Sequence, residues 1–295
     1  MAELSGVGAP TKETVGRVGS IYTDTNTDKK YKCVLSYVHK DGYAKTETTF
    51  YKWWPMPSEG ASDGTVEPPY VKETYNASGD LIAAELVGME SVRKKAFSDC
   101  SALTSVKFPS GLTGIRGYAF SYCTSLSLTS LPSELTSISG NAFTGCTSLA
   151  LTSLPSGLTS IGESAFTGCT KLALTSLPSG LTSISGYAFY NCKKLALTSL
   201  PSGLTTVGEN AFCDCANLAL TSLPSSLTKI SGYAFSYCTG LVSLTFKGTP
   251  TSMASNSFNG CTNLTTLNVP WAEGAVANAP WGATNATINY NYTGE

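Results

Sequence analysis

The chain has 295 residues, a formal net charge of −1 and only 13% charged side chains, well below the usual quarter. A surface that tracks phosphates needs clustered Lys and Arg; here the runs Lys29-Lys30 and Arg93-Lys94-Lys95 stand isolated, so no nucleic-acid partner is expected. No apolar run approaches the roughly 18 residues of a membrane-spanning helix, so no membrane insertion is expected, and Ser and Thr supply the solvation instead, a composition suited to extracellular or virion surfaces.

In chain order, the start MAELSGVGAPTKETVGRVGS has no basic segment followed by an apolar core, so no secretory signal peptide is expected. GSIYTDTNTDKKYKCVLSYVH alternates β-formers around a polar turn, Asp41-Gly42 marks a second turn, and KTETTFYKW supplies a third strand. Residues 16–54 are therefore predicted to form a small antiparallel meander, and residues 1–54 are read as a small attachment module. Asp24, Asn26 and Asp28 have the alternating oxygen spacing of a Ca²⁺ loop but lack its Gly and distant Glu, so TDTNTD reads as a solvated hairpin turn. His39, the only histidine, reads as an exposed strand residue. Residues 55–85 comprise a Pro/Gly/Ser/acidic linker and the start of a hairpin, YVKETYNASGDLIAAEL, that caps the repetitive region after it.

From residue 86 to 270 the chain repeats every 23 residues without an insertion. The phenylalanine ladder is Phe97, Phe120, Phe143, Phe166, Phe189, Phe212, Phe235 and Phe258; three residues behind it run Cys100, Cys123, Cys146, Cys169, Cys192, Cys215, Cys238 and Cys261. Leu103 to Leu264 follow each Cys by three, and Val92 to Met253 precede each Phe by five. A fixed period between about 20 and 50 residues predicts a solenoid, because one such unit cannot bury its own apolar face and neighbours must share a core. Val276 and Trp281 continue the Ile and Phe columns into residues 271–295, a degenerate last repeat with a polar end, NYNYTGE, suited to capping an open solenoid.

Within the repeat LTSISGYAFYNCKKLALTSLPSG, the run GYAFYNC is predicted to make one helical turn that points Ala188, Phe189 and Cys192 inward. LALTSL reads as a short strand of a parallel sheet, and Pro201 ends it. The first and last two repeats carry apolar residues at three, six and eight after Cys, whereas the central ones read L-x-L-T-S-L-P. Equal length with a changed pattern predicts a local shift in the strand within one fold.

Ten cysteines invite a disulfide reading. Equivalent residues of adjacent coils point in parallel, however, and an inward Cys behaves as a small buried hydrophobe, so the ladder is read as reduced, buried thiols. Cys213 is expected to be exposed and reactive. No C-x-x-C pair points to a metal, no cofactor is implied, and no catalytic residues converge. Glu163 and Glu209 share a column two repeats apart, roughly 10 Å by sheet spacing, a separation compatible with an inverting glycosidase pair, but no third group supports that chemistry and no enzyme is expected.

Beside the Phe column the repeats differ. Tyr118, Tyr122, Tyr187, Tyr190, Tyr233 and Tyr237 flank three of the phenylalanines, with Lys193 and Lys194 just behind Cys192. Two readings stand: these tyrosines shield the coil edges, or they form a recognition surface, to which Tyr brings large area at low entropy cost.

The pattern I-x-x-x-A-F-x-x-C-x-x-L, present as IGESAFTGCTKL and ISGYAFYNCKKL, resembles the BspA-like (Treponema pallidum-type) leucine-rich repeat over residues 86–270. The resemblance implies a leucine-rich-repeat solenoid used for adhesion and recognition, with no catalytic residues to carry over. GRVGSIYTDTNTDKKYKC resembles a hairpin of phage and prophage tail-fibre proteins through Gly16, Gly19, Tyr22, Asp24, Tyr31 and Cys33, with Ser20 and Asp28 departing from it. VPWAEGAVANAPWGATNATINYN resembles the ending of leucine-rich-repeat proteins encoded by phages of gut Firmicutes. Together these imply a host-surface binding protein of a phage or prophage virion. Its expected partners are a host surface protein or glycan and, through the N-terminal module, other tail proteins. The alternative is a bacterial surface adhesin that binds host glycoproteins.

Overall fold

The computed structural model describes residues 71–294 with their side chains and, before them, the backbone of Tyr70 and of four strands, Glu3–Gly6, Ile21–Asp24, Lys30–Lys40 and Glu47–Pro55. The side chain of His39, the TDTNTD turn after Asp24, the Asp41-Gly42 turn and residues 56–69 lie outside the described residues. The chain divides into two compact units, Met1–Glu73 with Glu85–Met89, and Thr74–Ala84 with Glu90–Glu295.

In the first unit the four strands form one sheet in chain order. Ile21–Asp24 pairs antiparallel with Lys30–Lys40, and that strand pairs antiparallel with Glu47–Pro55 across a register shift between Cys33 and Leu35. Glu3–Gly6 adds to the edge in parallel, from Glu3 opposite Ile21 to Gly6 opposite Asp24, a strand that the sequence pattern does not announce.

The second unit is a β-solenoid of 23-residue coils. Its longest ladder is built on the Ile column: Ser91–Val92, Gly114–Ile115, Ser137–Ile138 and Ser160–Ile161 pair in parallel, as do Ser183–Ile184, Thr206–Val207, Lys229–Ile230 and Ser252–Met253. Between Ile161 and Ile184 the ladder is interrupted, and the Ser185 hydroxyl donates to the Ile161 carbonyl at 2.8 Å. The segment behind the Cys column forms strands at Ser105–Lys107, Ser222–Leu223, Ser243–Phe246 and Thr266–Asn268. In the coils between 127 and 200 it is extended without regular pairing, and one backbone bond per step survives there, such as Ala173 N–H to Leu151 O at 3.0 Å. The changed pattern is thus the local shift expected from the sequence: Leu151, Leu174 and Leu197 are fully buried while the following Thr-Ser pairs face water.

The run around each Phe is not a helical turn. An α-helix needs consecutive N–H groups bonded four residues back, and no helix occurs among the described residues. Instead, alternate N–H groups serve different coils. Ala119, Ser121 and Cys123 donate to carbonyls three residues back, at 3.1, 3.3 and 3.1 Å, while Tyr118, Phe120 and Tyr122 donate to Gly140, Ala142 and Thr144 of the next coil, at 3.2, 2.8 and 2.6 Å. This zigzag goes with a left-handed residue two before Phe in seven of the eight coils and two after Phe in all eight. Lys95, Tyr118, Asn141, Ser164, Tyr187, Asn210 and Tyr233 fill the first position with φ between +53° and +59°, and Asn256 in the coil of Phe258 does not share that conformation. Asp99, Tyr122, Gly145, Gly168, Asn191, Asp214, Tyr237 and Gly260 fill the second, with φ between +57° and +73°.

The core runs through every coil. The eight ladder phenylalanines stack with centroids 5.2 to 5.5 Å apart and planes within 10°. Burying each is worth about 1.5–3 kcal/mol. Phe108 meets Phe120, the second ring of the stack, and Phe246 meets Phe258, its last, both edge-on at 6.0 and 6.4 Å. A column that the sequence reading did not separate, Leu112, Leu135, Leu158, Leu181, Leu204 and Leu227, is also buried, and its N–H groups close turns onto the prolines three residues back. In the last coil Val276 and Trp281 are buried as their columns require. Trp281 does not extend the parallel stack; its ring is tilted against Phe246 and edge-on to Trp271.

Candidate recognition surface

The six tyrosines singled out from the sequence fall into three columns. Tyr118, Tyr187 and Tyr233 stand two before their Phe, Tyr122 and Tyr237 two after, and Tyr190 one after, in the column of Ser121, Thr144 and Thr167. Tyr118, Tyr122, Tyr233 and Tyr237 are 40%, 54%, 41% and 54% exposed, while Tyr187 and Tyr190 are half-buried against each other at 5.9 Å. Each Phe step adds about one coil of 5.3–5.5 Å, so the Tyr118/Tyr122 and Tyr233/Tyr237 pairs lie five coils apart with the half-buried pair between them. Lys193 and Lys194 are exposed, and Lys193 Nζ lies 3.9 Å from Asp214 Oδ2. Lys95 Nζ sits 5.8 Å from the Tyr118 ring centre.

Hydroxyl ladders run along the solenoid. Thr136, Thr159, Thr205, Thr228 and Thr251 each donate a hydroxyl to the coil before, at 2.9 to 3.3 Å. Thr144 and Thr167 donate to the Ser164 and Tyr187 carbonyls of the coil after, each at 2.7 Å. Each of these carbonyls also accepts a backbone N–H, so the hydroxyl adds a second bond to it.

The cysteine column is buried, as expected from the sequence, with Cys100 partly exposed. Each thiol from Cys123 to Cys261 also donates to the Phe carbonyl of the preceding coil, for example Cys146 to Phe120 at 2.9 Å and Cys192 to Phe166 at 3.1 Å. That carbonyl already accepts the N–H of its own coil's Cys, so the thiol fills its second lone pair. Burial pushes the Cys146 and Cys261 thiols up to about 12 and those of Cys169, Cys192, Cys215 and Cys238 well above the ordinary value. The exposed, reactive Cys213 expected from the sequence is corrected: it is 7% exposed, and burial, then Asp214, raise its pKa. Its column turns toward the next coil, so an unusual residue there is not a surface residue.

Glu163 and Glu209 are both exposed, with Gly186 in the coil between them. Two depressions of this unit, one between Phe108 and the Ser127–Ser133 segment and one between Thr249–Met253 and Ala275–Asn278, include neither glutamate. Among the described residues no group of His, Cys, Asp and Glu is arranged to hold a metal, and no helix is long and apolar enough to cross a membrane.

No curated protein matches the chain. Among solved structures it is similar to the crystal structure of a T. pallidum leucine-rich repeat protein, 25% identical, over 65% of this chain and 87% of that one, with a TM-score of 0.44. It is similar also to a leucine-rich cell surface protein from Faecalibacterium prausnitzii A2-165, 21% identical, over 70% and 77% of the two chains, TM-score 0.43. The model of the BspA type leucine rich repeat region matches residues 82–196 and 160–275 in six copies, and with this match spanning most of a solenoid built on the same period, the chain belongs to the BspA type leucine-rich repeat family.

Proposed function

We propose that the chain is a non-enzymatic recognition protein whose solenoid binds a surface protein or glycan through the wall that carries the exposed tyrosines. The observation that carries this reading is the placement of Tyr118, Tyr122, Tyr233 and Tyr237. All four are 40% or more exposed and all four occupy left-handed backbone, which Asn, Asp and Gly tolerate and bulky side chains do not. Strained residues of this kind concentrate at functional sites. Family membership supports the coarse assignment to adhesion and protein interaction. The finer assignment, to the virion of a phage or prophage with the N-terminal module attaching to other tail proteins, is supported by the resemblances at the two ends of the chain. The family match favours the second reading, a bacterial cell-surface adhesin.

Replacing Tyr118, Tyr122, Tyr233 and Tyr237, the four exposed tyrosines on left-handed backbone, by Asn tests the binding surface. Binding to target cells should fall while the melting temperature holds within the equivalent of about 0.5 kcal/mol, because Asn suits left-handed backbone. A large loss of stability with unchanged binding would make the tyrosines edge shields instead. Antibody labelling of purified induced particles against intact cells separates virion from cell surface.

A further inference from the structure

The sequence GYAFSYC occurs twice, at 117–123 and 232–238, and the two copies share their surroundings. In each, the second tyrosine stands between an aspartate in the coil before and a glycine in the coil after: Asp99, Tyr122, Gly145 and Asp214, Tyr237, Gly260. Both tyrosines are 54% exposed, with φ of +58° and +57°. A methyl group placed on Gly145 would fall 2.6 Å from Tyr122 Cδ1, and one on Gly260 would fall 2.5 Å from Tyr237 Cδ1. Each ring therefore rests on glycine backbone, which a side chain would deny it, and leaves its other side to solvent. The coils between use Gly145, Gly168, Asn191 and Asp214 at this position, residues that suit the left-handed backbone. The backbone does not ask for an aromatic ring here, yet the same three-coil arrangement appears twice.

We propose that Asp99–Tyr122–Gly145 and Asp214–Tyr237–Gly260 are two copies of one subsite for a neutral saccharide chain, engaged together by a polymer lying along the solenoid. This rests on the recognition reading above and names its ligand. The free side of a tyrosine ring takes the C–H face of a pyranose, and an adjacent carboxylate accepts hydrogen bonds from neighbouring hydroxyls. The charges near the rings are mixed: Lys193 faces Asp214 at 3.9 Å and Lys95 lies over Tyr118. The patch therefore has no strong net sign with which to select an ionic ligand, and its surroundings are Ser, Thr and Asn. Protein hot spots sit in desolvated pockets, whereas both rings are 54% exposed. Two subsites on one stacked framework raise avidity for a polymer by about 10²–10⁴ over a single contact.

The test uses the full chain against immobilised mannan, β-glucan and galactan, their short oligosaccharides, and an acidic polysaccharide. A panel of Gram-positive bacterial and mammalian epithelial cells is probed in parallel, before and after periodate oxidation. At least one neutral polymer should bind. Tyr122→Asn or Tyr237→Asn alone should weaken that binding by about 10²-fold, as expected for loss of one of two linked contacts, with a far smaller effect on the matching oligosaccharide, and the double variant should abolish both. Gly145→Ala, which displaces the Tyr122 ring, should act like Tyr122→Asn. Gly168→Ala carries the same φ of +73° but its added methyl lies 3.8 Å from Gly145 Cα, so it should leave binding intact. Failure to bind any neutral polymer, or equal binding by wild type and double variant, overturns the proposal. Cell binding that is lost in the double variant but survives periodate overturns the saccharide while keeping the recognition surface; no binding to any cell or polymer removes the recognition reading itself.

Discussion

Each ladder cysteine from Cys123 onward fills the second lone pair of a Phe carbonyl one coil back, which volume alone does not reveal. The sequence showed that the column is small, apolar and inward; which carbonyl a thiol meets depends on the path of the neighbouring coil, so the hydrogen bond was not legible, and neither was the burial of Cys213. The buried thiols make stability depend on pH. In the folded chain burial holds Cys146 and Cys261 near 12 and four others well above the ordinary value, whereas in the unfolded chain a thiol titrates near about 8.5. A raised folded pKa means the stabilisation is complete below about 8.5 and is lost as pH climbs toward the folded value, by about 1.4 kcal/mol per pH unit for each thiol. Denaturant midpoints should therefore fall between pH 7 and pH 10. Cys192→Ala should lower stability at pH 7 by about 1–3 kcal/mol, because the Phe166 carbonyl loses a donor, and should make the alkaline fall shallower. Equal midpoints at the two pH values would contradict the buried ladder.

At the scale of one coil, the period, the inward columns and the shifted strand of the central repeats were all legible, because apolar identity repeats at fixed spacing. The run around Phe was not, since Ala, Phe and Cys at this spacing also fit a helical turn. The discriminating signal lay two residues either side of Phe, where Asn141, Asn210, Gly145, Gly168, Asn191 and Asp214 are residues that accept left-handed backbone. The tyrosines hid that signal by occupying the same columns. The stack makes a graded prediction. Phe189 is fully buried with a ring 5.5 Å away on either side, so Phe189→Ala should cost about 3–5 kcal/mol and lower the melting temperature of the whole solenoid. Phe258 is the last ring of the parallel stack; Phe258→Ala should instead speed hydrogen exchange from the coil of Phe235 to the C-terminus and leave the central coils protected, as expected of neighbour-coupled repeats. Matching global losses at both positions would mean that the array unfolds as a single block.

For the solenoid as a whole, what matters is that each coil touches only its neighbours, so the period itself should be removable while its register should not. Deleting residues 149–171 joins Ser148 to Leu172, so that Leu172 inherits the place of Leu149 and every column, from the Phe stack to the Thr hydroxyl ladder, reconnects in step. Deleting 149–172 joins Ser148 to Ala173 and moves every downstream residue by one position. The Phe carbonyls would then face the wrong residue instead of a thiol, and the left-handed positions would fall on Ala and Cys. The first variant should keep the far-ultraviolet spectrum and a cooperative melt, with a modestly lower midpoint for the loss of one coil–coil interface. The second should lose cooperative melting. The same pair separates stability from recognition: the in-register deletion brings Tyr122 and Tyr237 to four coils apart, so a flexible polymer should still bridge them, while a ligand that requires the native five-coil spacing should not. If the in-register deletion unfolds the chain as thoroughly as the slipped one, the coils are not interchangeable units, and the uniformity of the central repeats would need another cause.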